Sequence, residues 1–296
     1  MGISTIFIVF LHLYSFAPDN STIMHRIIEF FFQNGDFGVN IFLLLSAYGL
    51  CYSYNNNSLK SYYYRRIKRM LPMLLLYCIF HFLLYKDFVF PNSIFNVIAH
   101  ITGISIFYND NLYDWFIPTL IFLYLIFPLL YRCCLMIKKY SMTLIILLFI
   151  VILLCVIPIY DFGWQLKIPR LCTVIIGIMT YLYEKDNNSK AIYSLYGWTA
   201  LLSFMSFVKG AYLVAPAVAL LISMNANYLP FRSIISFWGR HSFEIYLGQA
   251  LCLNWLYSID LNYIEFIASS FLGLSFSAFL LWASHYYFWK FAMGDH

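Results

Sequence analysis

Long apolar runs separated by short polar connections fill this chain from end to end. A run such as Leu144–Val156 is apolar at every position. It therefore shows neither the 3.6-residue nor the two-residue period of an element with one face in water. Runs of this kind predict helices with apolar surroundings on all sides, and about 17–25 such residues cross a hydrocarbon layer. The pattern predicts spans at 1–17, 34–54, 70–86, 115–132, 141–158, 169–184, 192–208, 210–226, 242–258 and 263–289. Only Lys209 and Gly210 part the two runs at 192–208 and 210–226, and the stretch 88–112 also fits an interfacial helix on the outer surface. Helices are expected because lipid offers a backbone amide no partner. A barrel would need alternating segments of about ten residues. The longest polar connection is 55–69, and no repeat or soluble domain shows, so 1–296 reads as a single membrane domain. The first segment has neither the basic start nor the small-residue cleavage site of a signal peptide.

Composition strengthens the membrane reading. The 296 residues are 62% hydrophobic and 10% charged, whereas soluble domains carry about 25% charged residues. So few charges cannot cover a water-facing surface. The 30 Phe and 26 Tyr suit membrane interfaces and helix packing. The net charge of +5 does not point to nucleic acid; its distribution says more. With the N-terminus in the cytoplasm, Arg26, Lys86, Lys167, Arg170 and Lys209 fall outside, and the rest of the eighteen Lys and Arg fall inside. That excess follows the positive-inside rule. The expected class is an all-α integral membrane protein of about ten transmembrane helices, with both termini cytoplasmic. Of the seven cysteines only Cys133 and Cys134 are adjacent, and no CxxC or Cys/His ligand spacing occurs. Neither a metal site nor a disulfide framework is expected.

Three places carry candidate chemistry. His12 sits in the first span between Leu11 and Leu13. An ionisable residue within a membrane segment is a functional candidate, and neutral imidazole serves as a general base near neutral pH. The alternative is a helix–helix hydrogen bond, and His81 and His285 also lie in or near spans. The second place is the basic stretch Arg65-Arg66-Ile67-Lys68-Arg69. It reads either as a topology signal touching anionic lipid or as a site for a phosphorylated cytosolic donor. On a helix, Arg66 and Arg69 share a face. The third is Glu244, near Arg240 and His241 in sequence, where a structural ion pair is the alternative role. Asp36, Asn40, Ser46, Trp115 and Arg170 are further polar or amphipathic positions at spans.

Taken together these stretches resemble the acyltransferase-3 family. Gly35-Asp36-Phe37-Gly38-Val39-Asn40-Ile41-Phe42-Leu43-Leu44-Leu45-Ser46-Ala47-Tyr48-Gly49 is similar to its "GVD-x-FF-x-LSGF" segment. Tyr64-Arg65-Arg66-Ile67-Lys68-Arg69-Met70-Leu71-Pro72 is similar to its "RR-x-x-RI-x-P" motif. Trp115-Phe116-Ile117-Pro118 with Phe127-Pro128-Leu129-Leu130 resembles its fourth-span segment, and Gly239–Leu247 its "G-x-x-S-x-E-I-Y-L-x-H" segment. His12 matches the histidine of its first span. The likeness runs in order along the whole chain. It departs at Asn40, Ala47 and Gln249, where the family has Asp, Gly and His, and at Met1, where the family has an arginine; the expectation here is a start further upstream.

The resemblance implies a membrane O-acyltransferase that moves an acyl group, acetyl above all, from cytosolic acyl-CoA to a hydroxyl of a glycan or lipid-linked sugar. It implies His12 as the catalytic residue, Arg65, Arg66 and Arg69 at the acyl-CoA site, and Glu244, Ser46 and Trp115 in support. No permanently bound cofactor is expected. The expected partners are acyl-CoA, the sugar acceptor and the lipid bilayer. The richness in Asn, Ile, Lys and Tyr fits an AT-rich bacterial genome, and the expected location is a bacterial plasma membrane, crossed several times. The rival class is a polysaccharide transporter, flippase or polymerase without acyl transfer. Transporters often carry internal repeats, and none shows here.

Overall fold

The computed structural model describes residues 1–16, 26, 29, 35–84, 116–139, 168–205, 231–257 and 262–293. Among them there is no strand. The helices are α1 (Gly2–Phe16), α2 (Gly35–Asn55), α3 (Leu59–Leu84), α4 (Phe116–Ile137), α5 (Ile168–Lys185), α6 (Ser189–Met205), α7 (Arg232–Arg240), α8 (Ser242–Tyr257) and α9 (Tyr263–Met293). The expected spans at 141–158 and 210–226, and the ambiguous stretch 88–112, lie outside the described residues. Of the described helices, α4 and the Glu265–Ala283 part of α9 are long and apolar enough to cross a membrane, and Gly2–Leu13 is a shorter apolar helix.

The expected spans meet the observed helices within a few residues, with two exceptions. The basic stretch expected in the polar connection 55–69 is already helical from Leu59 and runs unbroken past Pro72. Nothing in it opposes a helix: Lys and Arg are good helix formers and no glycine interrupts them. Ser58 begins the turn by accepting a hydrogen bond from the Ser61 amide at 3.3 Å. The second exception is α7, nine residues between expected spans. Its apolar Ile234, Ile235, Phe237 and Trp238 alternate with Arg232, Ser233, Ser236 and Arg240 at helical spacing. No α7 residue is buried, as suits a helix lying along an interface.

The chain forms two compact units: Met1–Phe42, Ile67–Phe88 and Ala226–His296 in the first, Leu43–Arg66 and Val89–Asn225 in the second. In the first, α1 packs on α7 and α8, and α8 packs along α9. Val9, Leu13, Ile245, Cys252, Leu256, Phe266 and Leu274 form one buried cluster there. The α8–α9 seam is tight because Gly248 has no side chain: a Cβ there would stand 2.7 Å from the Ala278 amide nitrogen. Backbone cannot move aside as a flexible side chain can. Gly248→Leu is therefore expected to destabilise the protein by about 1–3 kcal/mol, read as a lower midpoint of thermal unfolding in detergent. α9 begins with a capping box. Asn262 Oδ1 accepts from the Glu265 amide at 3.0 Å, and Glu265 Oε2 accepts from the Asn262 amide at 3.1 Å. Asn262→Ala is expected to remove about 1 kcal/mol, visible in the same unfolding measurement.

In the second unit α5 packs on α4 and α6. α5 is closed just past its last residue by Asn187, whose φ of 54° is the left-handed conformation that ends a helix. The Asn188 amide donates back to the Tyr183 carbonyl and the Asn187 amide to that of Glu184, both at 2.9 Å. Asn188 Oδ1 then caps α6 by accepting from the Ala191 amide at 3.1 Å. Lys138 donates to the Leu182 carbonyl at 3.0 Å and pairs with Asp186, placing a cation at the negative end of α5.

Candidate functional site

His12 lies on α1 and is partly buried. Its helix neighbours Val9 and Leu13 point into the buried cluster, so the imidazole is held beside an apolar core. Two α8 side chains meet it. The ring of Tyr246 is 6.3 Å away, centroid to centroid, and the side chain of Gln249 is its polar neighbour. Gln249 is 2% exposed. Its Nε2 donates to the Val9 carbonyl at 3.1 Å, fastening α8 to α1 one turn before His12. Its Oε1 is buried with no full hydrogen bond among the described residues. A buried amide oxygen of this kind is poised to accept a ring N–H. The first unit thus brings a histidine, a fixed amide and a tyrosine ring together beside an apolar core.

Elsewhere in α8, Glu244 is partly buried. Its Oε2 is shielded and has no hydrogen-bond partner among the described residues. The ion pair with Arg240 or His241 suggested by sequence is not formed among the described residues. Glu244 instead lines a cavity with His241, Trp238 and Trp282.

The basic stretch is differentiated. Arg65 and Arg69 are exposed and Arg66 is partly buried. The Arg66 guanidinium carbon lies 5.7 Å from the ring centres of both Tyr62 and Tyr124. Flat stacking on aromatic faces suits a planar guanidinium better than a compact ammonium. Its Nε is buried without a hydrogen-bond partner among the described residues. Tyr62 is fully buried, stacks on Phe127 at 5.9 Å and donates to the Tyr124 carbonyl at 3.3 Å. The two tyrosines therefore hold one arginine in place in the second unit and leave Arg65 in the open.

Ser46 is 8% exposed within α2 in the second unit, and Trp115 lies outside the described residues. Sequence reasoning missed the two rings that clasp Arg66, although Tyr62 stands four residues before it, the spacing of neighbours on one helix face. It also gave Asn40 no role beyond a departure. Asn40 is fully buried, and neither its Oδ1 nor its Nδ2 has a partner among the described residues.

A family model described as Acyltransferase domain matches residues 2–287, nearly the whole chain, and the class it defines is a helical membrane acyltransferase. The chain belongs to the acyltransferase-3 family. No curated protein and no solved structure matches it.

Proposed function

We propose that the protein transfers an acyl group, acetyl first of all, from cytosolic acyl-CoA to a hydroxyl of a cell-surface glycan or its lipid-linked precursor. The observation that carries the reading is His12: an imidazole within an apolar helix, with the Gln249 amide and Tyr246 ring beside it. A sugar hydroxyl is a weak nucleophile, and a neutral imidazole takes its proton as it attacks. The hydroxyl oxygen forms a bond to the thioester carbonyl carbon, and the carbon–sulfur bond breaks. CoA leaves as its thiol, accepting a proton from the imidazolium. The proposed architecture is about ten spans with both termini cytoplasmic, in a bacterial plasma membrane. Arg65, Arg66 and Arg69 then face the compartment that holds acyl-CoA, with Arg66 the preorganised member. Ser46, Glu244 and Trp115 are the supporting residues that the family resemblance implies. No resident cofactor is needed, because acyl-CoA arrives as a substrate.

Gln249 is a positioning residue in this scheme: its Oε1, which makes no full hydrogen bond among the described residues, closes on the ring N–H during the reaction and fixes which nitrogen is free to take the proton. Gln249→Ala is expected to lower kcat about tenfold through the lost contact to the ring, about 1.5 kcal/mol, with KM for acyl-CoA little changed. It should also lower the thermal midpoint, because the Nε2 bond to the Val9 carbonyl goes with it. Gln249→His, which restores a ring at this position, should keep activity. The overall reading is tested by incubating membranes that contain the protein with acetyl-labelled acetyl-CoA and isolating the glycan. Label on glycan hydroxyls supports it. Its absence, with labelled acetyl-CoA intact, rejects it.

A further inference from the structure

The first unit contains a cavity to which the acyl-transfer reading assigns no occupant, although Glu244 lines it. It has a volume of about 400 Å³, within the range of ligand pockets, about 300–1,000 Å³. Its walls come from α7, α8 and α9: Phe237, Trp238, Ile245, Leu274, Phe279 and Trp282. Two titratable groups face it, Glu244 and His241. His241 is held between rings, 4.7 Å from Phe237 and 6.5 Å from Trp282. Glu244 Oε2 is buried without a partner among the described residues. Phe237 is 53% exposed, Phe279 58% and Trp282 40%, so the aromatic rim opens outward.

A carboxylate shielded in an apolar cavity calls for a cation or a strong donor. The walls call for an apolar body. Together they describe an amphiphile, and the remaining question is its head. An anionic head is repelled by Glu244. A glycerol hydroxyl gives one hydrogen bond but leaves the carboxylate uncompensated. A quaternary ammonium compensates the charge but has no N–H to offer the carboxylate. A primary ammonium does both, and it also gains from the faces of the surrounding rings. The exposed guanidinium of Arg240, at the end of α7 next to His241, offers the counter-charge for a neighbouring phosphate.

We propose that the cavity between α7, α8 and α9 binds a membrane phospholipid with a primary-ammonium head, its ammonium on Glu244 and its chain along Phe237, Trp238, Leu274, Phe279 and Trp282. The proposal does not rest on the acyl-transfer reading, although Glu244 figures in both: a protein without that activity would still bind the lipid here.

The test is native mass spectrometry of the full-length protein in mild detergent. The protein is equilibrated with an equimolar mixture of phosphatidylethanolamine, phosphatidylcholine and phosphatidylglycerol of identical chains. The unmodified protein is expected to retain one ethanolamine lipid at least tenfold over the other two. Glu244→Gln should reduce that lipid to the level of the choline lipid. Ser275→Trp, which adds bulk to the cavity from the exposed face of α9, should abolish retention while leaving the thermal midpoint in place. Equal retention of all three lipids overturns the proposal, as does an ethanolamine preference that survives either substitution. Should Glu244→Gln not fold, the head-group preference of the unmodified protein and its loss in Ser275→Trp decide alone.

Discussion

His12→Ala is expected to lower acyl transfer by about 10²–10⁴-fold, the range that one positioned general base contributes. The protein should still insert, since His12 is partly buried and the neighbouring core residues Val9 and Leu13 stay in place. The hydrogen bond that fastens α8 to α1 runs from Gln249 to the Val9 carbonyl and does not pass through the imidazole. Loss of activity should therefore come without loss of folded protein. The measurement is label transfer per mole of protein, with the thermal midpoint in detergent as a control. Retained activity would reject the catalytic assignment. Lost activity with a midpoint many degrees lower would make His12 a structural residue of the α1–α8 contact.

Arg66→Gln is the second large effect. Charge-assisted hydrogen bonds contribute about 1.5–3 kcal/mol, and each 1.4 kcal/mol is tenfold in affinity. The KM for acyl-CoA should rise about 10–100-fold, with kcat little changed. Arg66→Lys should not rescue it, because the clasp of Tyr62 and Tyr124 accepts a planar guanidinium with its rings at 5.7 Å on each count, and an ammonium lacks both the plane and the bidentate fork. Arg65→Gln, at an exposed position without such a clasp, should have the smaller effect. A stacking role alone would instead lower the thermal midpoint and leave KM where it was. An unmoved KM for the triple change of Arg65, Arg66 and Arg69 to Gln would make the stretch a topology and lipid signal.

The fold was most legible where the chemistry leaves one solution. The runs that became α4 and α9 have no polar face to orient and no partner for the amides outside the helix, so the predicted spans 115–132 and 263–289 contain most of Phe116–Ile137 and Tyr263–Met293. The beginning of α3 was not legible, because its charges read as a connection although Lys, Arg and Tyr are compatible with a helix. α7 was passed over for a different reason: nine amphipathic residues are too short to span, and a search for spans has no place for a helix at the interface. The site shows the same division. His12 stood out locally, as a titratable residue among Phe10, Leu11 and Leu13. Its partner did not, because Gln249 and the Val9 carbonyl are 240 positions apart. Only the packing of α8 on α1 joins them. The clasp on Arg66 was half legible: Tyr62 is one helical turn away on α3, while Tyr124 comes from α4.

The most direct test of the central claim is mass spectrometry of surface glycan from a host with and without the gene, grown on isotopically labelled acetate. A labelled acetyl increment that appears only with the gene, and vanishes in His12→Ala, is the predicted result and also identifies the acceptor. An unchanged glycan mass in the host carrying folded, membrane-inserted protein would contradict the account.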